Sequence, residues 1–145
     1  MSNPRYVPRD FAVTPRDFGQ VKELAWVALS DDADTLAKAR RSAAKTQHQI
    51  SYGVRNIYMP HSGQPKITLL AEALEVPYDR LHKVLTGRAV MQLEDIGRLR
   101  GLVGAELDFW FLRDETLTFV EASLANLARE QERARMRPRT RPDAI

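Results

Sequence analysis

Five polar side chains that can make specific contacts lie within six residues of the chain. They are a phenol, a carboxylate, a guanidinium, an imidazole and an ammonium, at Tyr78, Asp79, Arg80, His82 and Lys83. Leu81 lies among them and Val84 directly after them, three residues apart, which predicts an amphipathic helix with one buried side and one polar side. Two interpretations stay open at this point: an ordinary solvated helix face, or a face that reads a ligand.

No pattern typical of an enzyme accompanies this group. The chain has no cysteine, and its three histidines, at positions 48, 61 and 82, share no ligand spacing with a carboxylate. The seven glycines form no phosphate-binding fingerprint, and no serine stands in a nucleophile motif. Asp31, Asp32 and Asp34 are interpreted as a helix boundary. We therefore expect a protein without catalytic activity, metal or cofactor.

Charge is unevenly distributed along the 145 residues, although the net charge is only +3. Between Thr35 and Ala71 there is no acidic residue, while six basic residues fall inside: Lys38, Arg40, Arg41, Lys45, Arg55 and Lys66. A second block, RARMRPRTR from Arg133 to Arg141, holds five arginines and no acid. Segregation of this kind favours a surface that meets a polyanion, and the alternative is an uneven surface charge without function.

The hydrophobic pattern predicts an all-α protein. Residues 1–13 form an extended arm, and a helix runs from Thr14-Pro15 to about Ser30 with Phe18 and Val21 on its buried face. Asp32 or Asp34 caps a second helix, which is weakened at Gly53. The sequence MPHSGQP, from Met59 to Pro65, predicts a loop.

Four further helices follow. They span Ile67–Leu74, Tyr78–Leu85, Leu93–Val103 and a final stretch from near Asp114 to about Arg135. This organisation predicts a helical domain over 14–112, a C-terminal helix over 113–136 and a basic tail over 137–145. With no run of about 18 apolar residues, no signal peptide and no cysteine, we expect no membrane association and a cytoplasmic location.

The stretch LAEALEVPYDRLHKVLTGR, from Leu70 to Arg88, is similar to the helix-turn-helix of the Cro and phage-repressor (Xre-type) family. QLEDIGRLRGLVG, from Gln92 to Gly104, resembles the family's next helix, so the resemblance covers Ile67 to about Ala105. Three residues depart from the family pattern: Glu75 replaces the turn glycine, Pro77 the serine cap, and Arg100 a small apolar residue. The family's first helix is expected somewhere within Leu36–Met59.

The resemblance implies a helical bundle containing a helix-turn-helix over residues 67–88, whose second helix enters the major groove of double-stranded DNA. It places base contacts at Tyr78, Asp79, Arg80 and His82. The expected phosphate contacts are Lys66, Lys83 and Arg88, together with Lys38, Arg41 and Lys45. The implied function is a sequence-specific transcriptional regulator, most often a bacterial or phage repressor. The alternative is a helical protein-interaction module, antitoxin-like or polymerase-associated.

The C-terminal helix carries an apolar seam, because Leu117, Val120, Leu124 and Leu127 recur at steps of three and four. Such a seam pairs with a second copy or seals the monomer, and regulators of this family usually bind as dimers, so a homodimer is expected. The preceding aromatic cluster, Phe109 to Phe111, is expected in the core. The arginine tail, interrupted by Pro138 and Pro142, is expected to add affinity without specificity.

Overall fold

The computed structural model describes residues 6–63, 65–111 and 115–136, except for the side chains of Phe109, Phe111 and residues 115–123. Helices make up most of these residues. No strand occurs in these ranges, so the prediction of an all-α fold is confirmed. The contacts of the chain fall into two units, Met1–Leu112 and Arg113–Ile145. None of the helices in the described ranges combines the length and the apolar character needed to cross a membrane.

The first helix, α1 (Thr35–Gly53), begins after Asp34, one of the two caps that the sequence predicts. The Asp34 Oδ1 atom accepts a hydrogen bond from the Ala37 N–H at 2.7 Å, which satisfies one of the free donors of the first turn. Helical winding does not stop at Gly53, because a π-helical turn, Val54–Tyr58, leads into α2 (Met59–His61). The prediction of a loop from Met59 is therefore wrong for its first three residues. The buried side chain of Met59 packs into the core and keeps this turn helical.

Gly53 has a tertiary reason to be glycine. A Cβ atom at this position would lie 2.2 Å from Cδ2 of Trp110, a residue of α6 (Glu106–Phe111). Trp110 is 5% exposed and belongs to the core, so its expected burial is confirmed. Phe109 and Phe111 lie outside the described side chains. The residue that weakens α1 as a helix former thus lets a second helix approach it closely.

Three helices have the bounds that the sequence predicts: α3 (Ile67–Leu74), α4 (Tyr78–Leu85) and α5 (Leu93–Val103). Together with α1 and α6 they enclose one apolar core. Its largest fully buried members include Ile50, Leu70, Leu85, Leu99 and Leu107. The last helix, α7, is described over Glu115–Met136, and its predicted start near Asp114 lies outside the described residues.

The helix predicted from Thr14 to Ser30 is wrong. Only Pro15–Asp17 forms a 3-10 turn, and Gly19 then turns the chain with a left-handed φ of +74°. The Gly19 N–H donates to Nδ1 of His48 at 2.8 Å, and a Cβ atom on Gly19 would lie 2.6 Å from the Leu85 carbonyl oxygen. This long-range bond and close approach outweigh the local helical pattern.

The described part of the N-terminal arm packs against other residues of the first unit and is not extended. Pro8–Phe11 forms a 3-10 turn in which Pro8 is buried, and the Arg9 N–H donates to the Gly87 carbonyl at 2.9 Å. The Arg40 guanidinium lies 5.0 Å from the ring centroid of Tyr6, a cation–π distance. The arm therefore touches both α1 and the residue pair that follows α4.

Candidate nucleic-acid interface

The turn between α3 and α4 has Glu75 at the position where the Cro and phage-repressor pattern has a glycine. Glu75 adopts φ 56° and ψ 43°, the left-handed conformation, which costs a non-glycine residue about 1 kcal/mol. The Val76 N–H donates to the Ala71 carbonyl and the Glu75 N–H to the Glu72 carbonyl, both at 3.1 Å. These two bonds close α3 in the manner of a glycine-capped helix end.

Pro77 then begins α4 without a side-chain cap, as the sequence suggests. Behind the turn, Ala71 and Leu81 are buried and Val76 is packed against the core. The small side chain of Ala71 gives α4 room to pack against α3. The resulting unit, α3 to α4, is two eight-residue helices joined by a three-residue turn.

The outer face of α4 carries four of the five polar residues that the sequence places between Tyr78 and Lys83. Tyr78, Asp79 and Lys83 are exposed, and His82 is half-buried. The rings of Tyr78 and His82, one helical turn apart, stack with centroids 5.6 Å apart and an interplanar angle of 23°. The structure therefore brings Tyr78, Asp79, His82 and Lys83 together on one face, with two flat rings side by side.

Arg80, the fifth residue, turns away from this face. Its Nη2 donates to Oδ2 of Asp95 on α5 at 2.6 Å and to the Val90 carbonyl at 3.3 Å. The same carboxylate oxygen accepts the Gln92 N–H at 2.8 Å, so Asp95 also closes the first turn of α5. The geometry makes Arg80 a link between α4 and α5. Its predicted base contact would require this ion pair to open.

Gln47 holds the other end of α4. It is 4% exposed, and its Nε2 donates to the carbonyls of Val84 and Ala89, each at 2.8 Å. Its Oε1 accepts the Met91 N–H at 2.9 Å. One buried amide thus secures the last turn of α4 and the segment that leads to α5. Gln47 lies at helical spacing between the apolar Ala43 and Ile50. A polar residue in such a position is the sequence signal that predicts a buried amide, and the sequence reasoning missed it.

The basic residues expected near α4 are accompanied by acids. Lys66 precedes α3, Lys83 lies on α4 and Arg88 follows it, and all three are exposed. Glu72, Glu75 and Asp79 are exposed on the same unit. Three exposed cations are therefore accompanied by three exposed carboxylates, and the formal charge of these six residues is zero. This surface is polar and mixed in sign rather than strongly basic.

The basic residues of α1 lie elsewhere. Lys45 and Lys38 precede Gln47 by two and nine residues, which at roughly 100° per residue places both about half a turn around the helix from it. Because Gln47 points to the end of α4, Lys38 and Lys45 are directed away from α4. Arg41 donates through Nε to the Val27 carbonyl at 2.9 Å and anchors the N-terminal segment. The structure does not bring this basic set onto the α4 face.

His48 has a structural role that its sequence position did not reveal. It is 1% exposed and is surrounded by the rings of Phe18, Trp26 and Tyr52, with centroids 5.4 to 6.4 Å from its own. Burial lowers the pKa of His48 below its ordinary value, so the neutral imidazole that accepts the Gly19 N–H is the favoured form. In the described ranges no cluster of three or more histidine, aspartate or glutamate residues could hold a metal ion.

The predicted dimer residues are described only in part. On α7, Leu124 and Leu127 are 60% and 51% exposed, and every described side chain from position 124 to 136 is exposed. Leu117 and Val120 lie outside the described side chains. The tail over 137–145 also lies outside the described residues, whereas Arg133 and Arg135 belong to the last turn of α7.

No protein-family model, no curated protein and no solved structure matches the chain. The fold and the α3 to α4 unit define an all-α protein that presents a short, firmly seated polar helix at its surface. The similarity to Cro and phage repressors stays a prediction made from residues 67–105.

Proposed function

We propose that the protein is a sequence-specific, double-stranded DNA-binding transcriptional regulator, a repressor that acts in the cytoplasm as a homodimer. The observation that supports this function is that side chains from α1 and α5 fix the position of α4. Arg80 ties it to α5, and Gln47 secures its last turn, while its outer face stays free of contacts with the core. A short helix that is held at both ends and polar on its outer face suits insertion into a major groove.

On this proposal the outer face supplies the base contacts. The Asp79 carboxylate accepts from a cytosine amino group, and Tyr78 packs on a thymine methyl group. The His82 ring is held against Tyr78, which restricts its orientation and so favours contact with a single base edge. Arg80 acts as a positioning residue, because its guanidinium is already bonded to Asp95.

The phosphate contacts in this proposal are Lys66, Lys83 and Arg88, which flank α3 and α4. Lys38 and Lys45 are left out, because they point away from α4. Each phosphate contact adds roughly 0.9 to the slope of log affinity against log salt concentration. Three contacts from each copy, six in the dimer, therefore predict a steep salt dependence with a slope of roughly 5.

Selection of bound sequences from random duplexes, with the full chain, tests the function directly. A recovered consensus site would support it. On that site, Lys83→Ala with Arg88→Ala should lower the salt slope by roughly 0.9 per neutralised phosphate. The matched control is Lys38→Ala with Lys45→Ala, which removes the same charge from the far side of α1 and should leave the slope unchanged. If the control pair lowers the slope and the α4 pair does not, the proposed surface is wrong.

A second function is favoured by one specific observation, the charge balance of the α3 to α4 unit. Three exposed carboxylates beside three cations suit a protein partner better than a phosphate backbone. In that case the chain is a protein-interaction module. No consensus duplex would then be recovered, and any residual DNA binding would show no preference for sequence.

A further inference from the structure

The described part of α7 carries two exposed leucines. Leu124 and Leu127 are 60% and 51% exposed. The stability of amphipathic helices in proteins comes mostly from packing of their apolar face. Within the described residues, α7 therefore presents a face that a partner would stabilise.

The spacing of this face continues beyond the four residues that predict a seam. Gln131 follows Leu127 by four residues and Ala134 follows Gln131 by three, so the alternation of three and four runs from position 117 to position 134. That is the heptad repeat of a coiled coil, with positions 117, 124 and 131 as a and positions 120, 127 and 134 as d. The polar Gln131 at an a position is the kind of residue that sets register.

The charges beside the seam decide the direction of pairing. In this register Glu130 occupies a g position and Arg135 the e position five residues later. A g residue of one helix faces the following e residue of the other only when the two helices are parallel. Glu130 and Arg135 form no ion pair with any described residue of their own chain, so both remain available. An antiparallel pair centred on the same seam would instead oppose Glu130 to Ser123, and the pair between Glu130 and Arg135 would not form.

From this charge complementarity we propose that α7 forms a parallel, two-stranded coiled coil with a second copy of the chain, with two symmetry-related pairs between Glu130 and Arg135. This inference rests on the homodimer of the proposed function and adds its direction and its register. Parallel pairing joins both copies of residues 1–112 to the same end of the coil. One dimer then carries two copies of α4, and both belong to units that are connected to the same end of the coiled coil.

The absence of cysteine from the chain allows a direct test of direction. In Ala134→Cys, a parallel coil brings the two d-position sulfurs face to face, and mild oxidation should link most of the full-length protein as a dimer. An antiparallel coil would place position 134 opposite position 117, about 25 Å from its counterpart at 1.5 Å per residue. Ala125→Cys, at an outward b position, is the matched control and should remain unlinked.

Charge exchange tests the register. Glu130→Arg and Arg135→Glu each replace two attractive pairs by two repulsive ones and should weaken self-association about tenfold. The double variant should recover the original association, and mixing the two single variants should give mainly the mixed dimer.

Sedimentation and disulfide cross-linking together show whether the dimer, the parallel direction or the register is wrong. A full-length chain that stays monomeric at every concentration would overturn both the dimer and this inference. A dimer in which Ala134→Cys does not cross-link more than Ala125→Cys would overturn the parallel direction alone. A dimer that cross-links at position 134 but is indifferent to the charge exchange would overturn the Glu130 and Arg135 register.

Discussion

α4 and α7 are both amphipathic helices, and they differ in where their apolar sides lie. On α4, Leu81, Val84 and Leu85 are buried within the chain's own core, and only the polar face remains exposed. On α7, Leu124 and Leu127 remain exposed in the same chain. Hydrophobic periodicity therefore predicts that a face needs cover, but it does not say whether that cover comes from the same chain or from a partner.

The two helices also differ in what secures them. α4 is eight residues long and is held by an ion pair at Arg80 and by the buried Gln47 amide. α7 has 22 residues, and its described side chains make no ion pair. On the proposed function, α4 contacts DNA and needs a fixed orientation within its own domain, whereas α7 gains its order from association. This contrast predicts opposite responses to similar substitutions.

The largest expected effect is on the free energy of unfolding, and it differs between a leucine that packs behind α4 and a leucine on α7. Leu70→Ala removes a fully buried side chain that packs behind α4, and it should lower the free energy of unfolding by about 2–5 kcal/mol. Leu127→Ala removes an exposed leucine and should leave the unfolding of residues 1–112 within about 0.5 kcal/mol of the parent. Urea unfolding followed by tryptophan fluorescence measures this, because Trp26 and Trp110 both lie in the first unit.

For Leu127→Ala the effect should appear in self-association instead, as a weaker dimer in sedimentation. Equal losses of unfolding free energy in the two variants would contradict the contrast, because they would show that α7 is part of the same folding core.

A smaller effect is expected where α4 is secured from α1. Gln47→Ala leaves two carbonyls and one N–H without their buried partner and should cost about 1–3 kcal/mol of stability. Because the end of α4 is then less firmly held, affinity for a selected duplex should fall more than affinity for random DNA. Titration of both duplexes with each variant measures the ratio.

Gln49→Ala, two residues along α1, is the matched control for this substitution. It should change the free energy of unfolding by no more than about 0.5 kcal/mol. A Gln47→Ala protein with parental stability and an unchanged ratio of the two affinities would show that the amide does not position α4.

The smallest effect is a pH dependence carried by His48. Burial lowers the pKa of His48 below 6.5, so the unfolded chain binds this proton at a higher pH than the folded chain does. Stability is therefore complete above about pH 6.5 and declines as the pH falls from there towards the folded pKa. Protonation also removes the acceptor for the Gly19 N–H, which should loosen the N-terminal segment.

Thermal unfolding of the parent and of His48→Gln between pH 7 and pH 5 measures this contribution. The variant should lose less stability than the parent over the same range. His61→Gln is the control, because His61 is exposed, and it should follow the parent. If His48→Gln and the parent decline in parallel, His48 does not carry the dependence.

Local signals in the sequence were sufficient for several elements. The bounds of α3, α4 and α5 agree with the prediction, because Pro77, the Thr86-Gly87 pair and Gly104 act on the backbone within one turn of themselves. The Asp34 cap was predictable for the same reason. The all-α class followed from apolar spacing, and so did the polar face of α4, because residues on one helix share a face whatever packs against it.

Tertiary structure decided the rest, because the forces involved join residues far apart in the chain. The residues after Thr14 have a helical pattern but do not form the predicted helix, because Gly19 bonds to His48, 29 residues away. Arg80 found its carboxylate 15 residues away on α5, and Gln47 found its partners 37 to 44 residues away. The direction of Lys38 and Lys45 depended on which side of α1 meets α4. Helical periodicity orders residues around one helix, but only packing between helices determines which of those faces meet and which remain exposed.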